Sequence, residues 1–357
     1  MVRFLSHKLL QMGLTLLGVV TIVFFLFSVL PGDPSQMMLG QNQNQEQQRI
    51  IQKKYGFDLA VEKQYLFFLN DLSPFSIHSQ NPASFSHYDK NKYGGFVLVE
   101  TKTWQLVVKW PYLRTSYQKR GKPVAEIIAE TLPNTFVLAV AAMSIAVFLG
   151  ILLGIVAMLQ KGRFLDTFLQ GVSTLGMSLP SFFSAIIASW LFGLVWHEFT
   201  GLNMTGSLYE LDDYGETNHL ELKNLVLPAL VLGIRPLAVI TQLMRNSLLE
   251  VMEQDYIRTA RAKGLSRYQI IYKHALKNAL NPVVTAISGW FASLLAGAIF
   301  VEYIFGWRGL GKEIVMALNT LDIPVIMGAV LIIAFFFIII NIVVDMLYVY
   351  LDPQVKL

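Results

Sequence analysis

Apolar residues gather in six long runs: Leu9–Leu30, Leu132–Leu159, Phe168–Trp196, Leu225–Leu248, Val283–Val301 and Val325–Leu351. A helix that crosses a membrane needs about 20 mostly apolar residues, so each run predicts one. The first run is longer than the apolar region of a signal peptide, about 7–15 residues, and no small-x-small cleavage site follows it, so it predicts a retained anchor. Pro180 inside the third run predicts a kink there, or a re-entrant turn followed by a helix. The pattern therefore predicts an all-α polytopic membrane protein of about six transmembrane helices.

The polar stretch between the first two runs, 31–131, is large. Within it, QNQNQEQQ (41–48) reads as a mobile polar linker. Helical spacing over Arg49–Leu72 (Ile50, Ile51, Tyr55, Leu59, Tyr65, Phe68, Leu69, Leu72) predicts a helix along the membrane face. Ser73–Lys92 reads as loop, and the alternation over Phe96–Lys109 predicts a short hairpin. The domain reading is 1–30 for the first span, 31–131 for an external segment with an amphipathic helix and a small β hairpin, and 132–357 for a five-helix core. That core carries a polar loop at 249–281.

Composition supports lipid as the solvent. The 357 residues are 54% hydrophobic and 15% charged, against about 25% charged in soluble domains. Without a single cysteine, disulfides, Cys-ligated zinc and thiol nucleophiles are excluded. A net charge of +4 is too mild for a nucleic-acid surface. Arg3 and Lys8 precede the first run, Lys161 and Arg163 sit between the second and third, and Arg258, Arg261, Lys263, Arg267, Lys273 and Lys277 sit between the fourth and fifth. These loops fall on one side, and Lys/Arg excess marks the cytoplasm. Both termini are then cytoplasmic, while 31–131 and the acidic loop 197–224 (Glu198, Glu210, Asp212, Asp213, Glu216, Glu221) face outward.

The stretch Asp255–Pro282 is basic and amphipathic. Two helical pieces are predicted with a break at Gly264: Asp255 as N-cap of the first, Gly264 at its C-terminal end, and Ser266 as N-cap of the second. Ile257, Ala260 and Leu265 are placed to pack. Arg258, Arg261 and Lys263 are free for a partner, and small Thr259, Ala260 and Ala262 permit close approach. An ordinary basic loop obeying the positive-inside rule is the plainer reading, and the residues alone leave both open.

RTARAKGL (258–265) followed by HALKNALNPVV (274–284) resembles the cytoplasmic coupling loop of binding-protein-dependent ABC importer permeases, most of all the B-type subunit of the oligopeptide/dipeptide/nickel family. Other motifs agree in order. Leu30-Pro31-Gly32-Asp33-Pro34 closes the first span, Lys54-Tyr55-Gly56-Phe57-Asp58 and Gln64-Tyr65 follow, and Leu132-Pro133-Asn134-Thr135 opens the second. Glu302, Phe305-Gly306 and Gly309-Leu310-Gly311 follow the fifth, and Asn341, Asp345, Tyr348, Asp352 and Pro353 close the chain. The departures are Arg258 and Lys277 where the general loop consensus has Glu and Pro, a longer segment near 78–120, and Arg235-Pro236 inside the fourth run.

The resemblance implies a type I importer permease fold. It implies that Tyr256, Arg258, Thr259, Ala260, Arg261, Ala262, Lys263 and Gly264 contact a cytoplasmic ATPase subunit. ATP and magnesium would be bound there, leaving this chain without cofactor or catalytic residue. The sequence itself contains no G-x-x-x-x-G-K-[ST] loop, the phosphate-binding signature. Implied partners are a second permease subunit, two ATPase subunits and an external solute-binding protein in a bacterial inner membrane. Peptides are the implied cargo, with nickel or another small solute as the alternative.

Arg235 is the cation read inside a span, where charge is expensive. Either it lines the translocation path, or it makes a structural contact beside Pro236. Asn341 and Asp345 share one helix face, read as making a buried interhelical hydrogen bond, or capping near the cytoplasmic edge, rather than a proton relay. Glu302, at the outer end of the fifth span, reads as interfacial and structural, with gating as the alternative. The histidines (7, 78, 87, 197, 219, 274) show no metal-ligand spacing on one element, and Trp104, Trp110, Trp196 and Trp290 read as interfacial anchors or packing. A multi-span membrane enzyme is the competing class. It would need paired acids or Ser/His at one depth, and Arg235 and Asp345 do not supply them. A channel or sensor would need a polar pore ring or an added domain, and neither is seen.

Overall fold

The computed structural model describes residues 2–29, 34–39, 44–82, 84–119, 121–211 and 217–351. Parts of three motifs, Leu30–Asp33, Asp352 and Pro353, and the acidic Asp212, Asp213 and Glu216, lie outside the described residues. The chain opens with α1 (Val2–Val29), α2 (Pro34–Leu39), α3 (Gln45–Tyr55) and α4 (Val61–Leu72). Next come β1 (Phe75–Ser79), α5 (Lys90–Tyr93), β2 (Phe96–Glu100) and β3 (Trp104–Val108). α6 (Val124–Leu159) leads to α7 (Phe164–Ser178), α8 (Ser181–Trp190), α9 (His197–Thr200) and the hairpin β4 (Tyr209–Leu211) and β5 (Asn218–Leu220). The remainder is helical: α10 (Lys223–Val251), α11 (Asp255–Ala262), α12 (Arg267–Gln269), α13 (Leu276–Ala279), α14 (Asn281–Phe305), α15 (Leu310–Asn319) and α16 (Ile323–Leu351).

Among the described residues five helices are long and apolar enough to cross a membrane, and counting α7 and α8 with its π-helical extension Leu191–Val195, bent by 108° at their break, as one span brings the number to six. The bend sits at Leu179-Pro180, where the sequence predicts it, because proline cannot donate to the helical ladder. Pro133 behaves differently. Expected near the start of the second span, it lies inside α6, which begins nine residues earlier at Val124.

The described residues cluster into two compact units. One comprises Met1–Lys8, Thr131–Val315 and Phe335–Leu357. Its core is aliphatic, with Leu138, Ala142, Leu232, Ile240, Met244 and Leu295 buried. Gly150 and Gly154 bring α6 against α10: a Cβ on Gly154 would lie 2.6 Å from Met244 Cβ and 2.8 Å from the Thr241 carbonyl. Glycines four apart let helix backbones approach where side-chain bulk would hold them off.

The other unit comprises Leu9–Glu130 and Met316–Ala334. These ranges cut across the consecutive blocks 1–30, 31–131 and 132–357, because α1, α6, α15 and α16 each run from one unit into the other. Val20, Phe24, Phe68 and Met327 form a small buried cluster here. The expected linker 41–48 is corrected from Asn44 onward: Asn44 Oδ1 accepts the Glu46 N–H (2.9 Å) and starts α3. The single helix expected over 49–72 is two helices, since Gly56 ends α3 in the left-handed region (φ +75°). The expected loop at 73–92 contains β1, which pairs with β3 to give the antiparallel order β1-β3-β2. Arg114 Nε donates to Asp71 Oδ2 (2.8 Å), and the Asp322 carboxylate accepts from Ser116 Oγ and from the Tyr117 backbone (3.0 Å).

Candidate functional site

The basic stretch between α10 and α14 folds as an amphipathic helix, a turn and a second helix. Ile257 and Ala260, one turn apart, are buried, and Leu265 is partly so. The first helix ends in a Schellman turn: Gly264 N–H donates to the Arg261 carbonyl (2.9 Å) and Leu265 N–H to the Ala260 carbonyl (3.4 Å). Gly264 has φ +78°, and a Cβ there would meet nothing within 4 Å. The glycine is thus required by backbone handedness and not by crowding. Ser266 then caps α12 with a full capping box, its Oγ accepting from Gln269 N–H while the Gln269 side chain accepts from Ser266 N–H.

One expected cap is corrected. Gln254, not Asp255, occupies the N-cap, and it makes no side-chain cap bond. Asp255 instead stands in the first helical turn, where its charge suits the N-terminal dipole, and pairs with Arg258 Nη1 at 3.1 Å. Both partners are exposed, so the pair adds little stability.

The candidate contact residues sort by face. Tyr256, Arg258, Thr259, Arg261, Ala262, Lys263 and Gly264 are exposed and form one basic surface with small residues between the charges. Ala260, expected both to pack and to touch a partner, is buried. The Tyr256 hydroxyl accepts from Asn278 Nδ2 (2.7 Å) and so ties α11 to α13. Arg261 Nη2 donates to the Met252 carbonyl (3.2 Å) at the end of α10. The surface is therefore braced at both ends by the helices that enter and leave it.

Arg235 is exposed on α10 and donates through Nε and Nη2 to the Met177 carbonyl, both at 3.4 Å. Met177 lies in the last turn of α7, just before the Pro180 break, where carbonyls lose their helical donors. A cation there offsets the negative end of the helix, which supports the structural reading of Arg235. Asn341 donates to the Phe337 carbonyl of its own helix (2.8 Å), and the Asp345 side chain lies outside what the structure describes. His78 and His87 each bond a backbone carbonyl, of Ser86 and Ser79.

The motif residues around the fifth span form a buried knot. Glu302 Oε2 accepts the N–H groups of Gly311 (2.7 Å) and Lys312 (3.2 Å) at the start of α15. Trp307 Nε1 donates to the Asn134 carbonyl (3.0 Å), Asn134 Nδ2 to the Arg308 carbonyl (2.8 Å), and Leu310 N–H to Thr135 Oγ1 (2.9 Å). These residues hold helix ends together.

Sequence reasoning missed the pair beside this surface. Arg245 Nε and Nη2 grip Asp166 Oδ1 and Oδ2 at 2.6 and 2.7 Å, and Gly162 N–H adds a third bond at 3.0 Å. The fork joins the start of α7 to the last turns of α10, directly before the candidate surface. The available signal was a charge of each sign at the neighbouring ends of two apolar runs.

The family model for the binding-protein-dependent transport system inner membrane component matches residues 146–357, which include the whole α11 surface, and its N-terminal companion matches residues 1–83. The chain belongs to this family. It is thus an inner-membrane permease component of an ABC transport system. The permease is similar over its full length to the dipeptide transport system permease protein DppB of Alkalihalophilus pseudofirmus (31% identical; 100% of each chain). It is also similar to the DppB proteins of Bacillus subtilis (32%; 100% of this chain and 99% of the relative) and Escherichia coli K12 (31%; 100% and 99%). Among solved structures, the inward-facing MetNI methionine ABC transporter gives a TM-score of 0.48 at 16% identity, covering 62% of the permease and 95% of that chain.

Proposed function

We propose that this permease carries peptides across a bacterial inner membrane by alternating access, driven by ATPase subunits on other polypeptides. The observation that carries the reading is the braced, exposed α11 surface, in a chain similar end to end to dipeptide permeases. Tyr256, Arg258, Thr259, Arg261, Ala262, Lys263 and Gly264 meet a groove on the ATPase, and Ala260 seats the helix on the bundle. Nucleotide-driven closure of two ATPase subunits pushes α11. The Arg245–Asp166 fork and the Asn278–Tyr256 bond pass that push to α7, α10 and α13. Such a device shifts the bundle between two arrangements only by its different affinity for each.

The same reading places both termini and α11 in the cytoplasm and residues 31–131 outside. It pairs this chain with a second permease subunit and supplies cargo through an external solute-binding protein. ATP and magnesium belong to the ATPase subunits, and this chain needs no cofactor of its own. Co-purification from the native membrane tests the assembly, and mass spectrometry of ligand released from the receptor-bound complex identifies the cargo. Recovery without ATPase subunits would refute the reading, and a bound metal chelate in place of peptide would move the cargo to the nickel alternative.

A further inference from the structure

The sheet β1-β3-β2 has its polarity inverted relative to a sheet in water. Cross-strand partners share a face. One face carries Ser76, His78, Gln105 and Val107, all buried, with Val97 and Glu100 of β2 exposed at its edge, and four of these six are polar. The opposite face carries the rows Phe75–Val108–Phe96 and Ile77–Leu106–Val99. Phe75, Phe96 and Ile77 are 64%, 60% and 58% exposed. No residue of those rows is charged. A sheet that packs one face and solvates the other puts its apolar side inward. Apolar-out and polar-in is the arrangement of strands that face lipid.

The apolar face is continuous with the membrane-crossing surface of the same unit. α4 packs through Phe68 onto Val20 and Phe24 of α1, and the Tyr65 and Thr21 hydroxyls share a hydrogen bond at 2.6 Å. Val20 is nine residues from the Val29 end of α1, about 13 Å at about 1.5 Å per residue. α4 therefore lies beside a span and not above it. Asn70 of α4 then clamps β1 from both sides, accepting from Ile77 N–H (2.8 Å) and donating to the Ile77 carbonyl (3.0 Å). Exposed Leu66 of α4 lines one groove with Ile77 and Trp104. Trp104 and Trp110 are both exposed beside the apolar rows, and tryptophan favours the depth of lipid headgroups.

We propose that this sheet face, together with Leu66, is immersed in the lipid leaflet at the Val29 end of α1. The sheet is then a monotopic anchor that holds the segment between the first two spans against the membrane. Its sidedness, the outer leaflet, rests on the topology proposed above; its contact with lipid does not.

The natural chain has no cysteine, so single spin labels report depth cleanly. Ile77→Cys and Phe96→Cys, both at exposed positions, are labelled in the assembled complex in lipid nanodiscs, with Lys102→Cys in the β2–β3 turn as reference. Molecular oxygen should relax the labels at 77 and 96 several-fold more than a water-soluble nickel chelate does. Dominant relaxation by the chelate at 77 and 96 would overturn the proposal in favour of water. Exclusion of both reagents would overturn it in favour of a protein partner on this face. Reaction of Lys102→Cys with an impermeant maleimide, from one side of sealed vesicles, reads sidedness separately. Labelling only from the cytoplasmic side would sink the topology while leaving lipid immersion to the depth measurement.

Discussion

At the residue scale, the Arg245–Asp166 fork is a paired charge with little solvent access, its side chains 16% and 5% exposed. Arg245→Ala leaves the carboxylate without its charged donors. A lost hydrogen bond to a charged group costs about 1.5–3 kcal/mol. The variant should lower the unfolding temperature in detergent, and adding Asp166→Asn should recover part of the loss. Full stability in the single variant would show the fork to be idle. Gly264 gives a contrasting case, since its backbone needs the left-handed region while space around it is open. Left-handed backbone costs other residues roughly 1–2 kcal/mol. Gly264→Trp should therefore assemble, yet present a large side chain on the proposed ATPase-facing surface. We expect ATP hydrolysis to persist while uptake falls to background in proteoliposomes; uptake at the parent level would refute the coupling role. Gly264 and the Ser266 capping box were legible in the sequence because each acts through its own neighbours. The Arg245–Asp166 pair joins residues 79 apart, and no local spacing announces such a contact.

At the element scale, the approach of α6 to α10 rests on Gly150, with Ile240 against it, and Gly154, with Met244 and Thr241 against it. Gly154→Leu forces these helices apart. Overpacking a tight interface costs about 1–3 kcal/mol, and the expected result is a fall in the yield of monodisperse complex on size exclusion. An unchanged yield and melting point would show that the helices have room to part. The small sheet has its own sensitivity. His78 is buried on the polar face, its Nδ1 hydrogen-bonded with the Ser86 carbonyl (3.2 Å) and its Nε2 with Ser76 Oγ (2.9 Å). A carbonyl only accepts, so the proton is assigned to Nδ1 of the neutral ring. Burial, with Lys109 and Lys92 nearby, holds the imidazole below its ordinary 6.5, against the opposing pull of the Ser86 carbonyl and Asp71. The unfolded strand then takes up its proton first as pH falls. Stability from His78 is fully present above 6.5 and is lost as pH drops through the lower folded value. Hydrogen-exchange protection of β1 and β3 should weaken below about pH 6.5 and do so less in His78→Gln; equal acid sensitivity in both would exclude His78 as the cause.

At the scale of the whole molecule, the proposed cycle makes this chain a lever with no engine. Proteoliposomes holding both permease subunits without ATPase subunits should show no uptake above background, and adding the ATPases with ATP should restore it. Uptake without them would place the driving force elsewhere. The six apolar runs and the α11–α12 cassette could be read from sequence because lipid imposes length and apolarity, and helix caps act over a few residues. The break at Pro180 belongs with them, since proline carries its own disruption. The hairpin strands β2 and β3 were visible as alternation, but β1 was not, because five residues with their polar positions buried give the opposite of the usual signal. Sequence alone determined the long apolar runs, the break at Pro180 and which stretch presents a basic surface, because those properties depend on composition and short-range spacing. Tertiary structure decided that Arg245 grips Asp166, that Glu302 caps a helix nine residues downstream, that glycines seat α6 on α10, and that a sheet turns its apolar side outward. Each of these depends on which surfaces meet in space, and that choice is made by the packing of the entire chain.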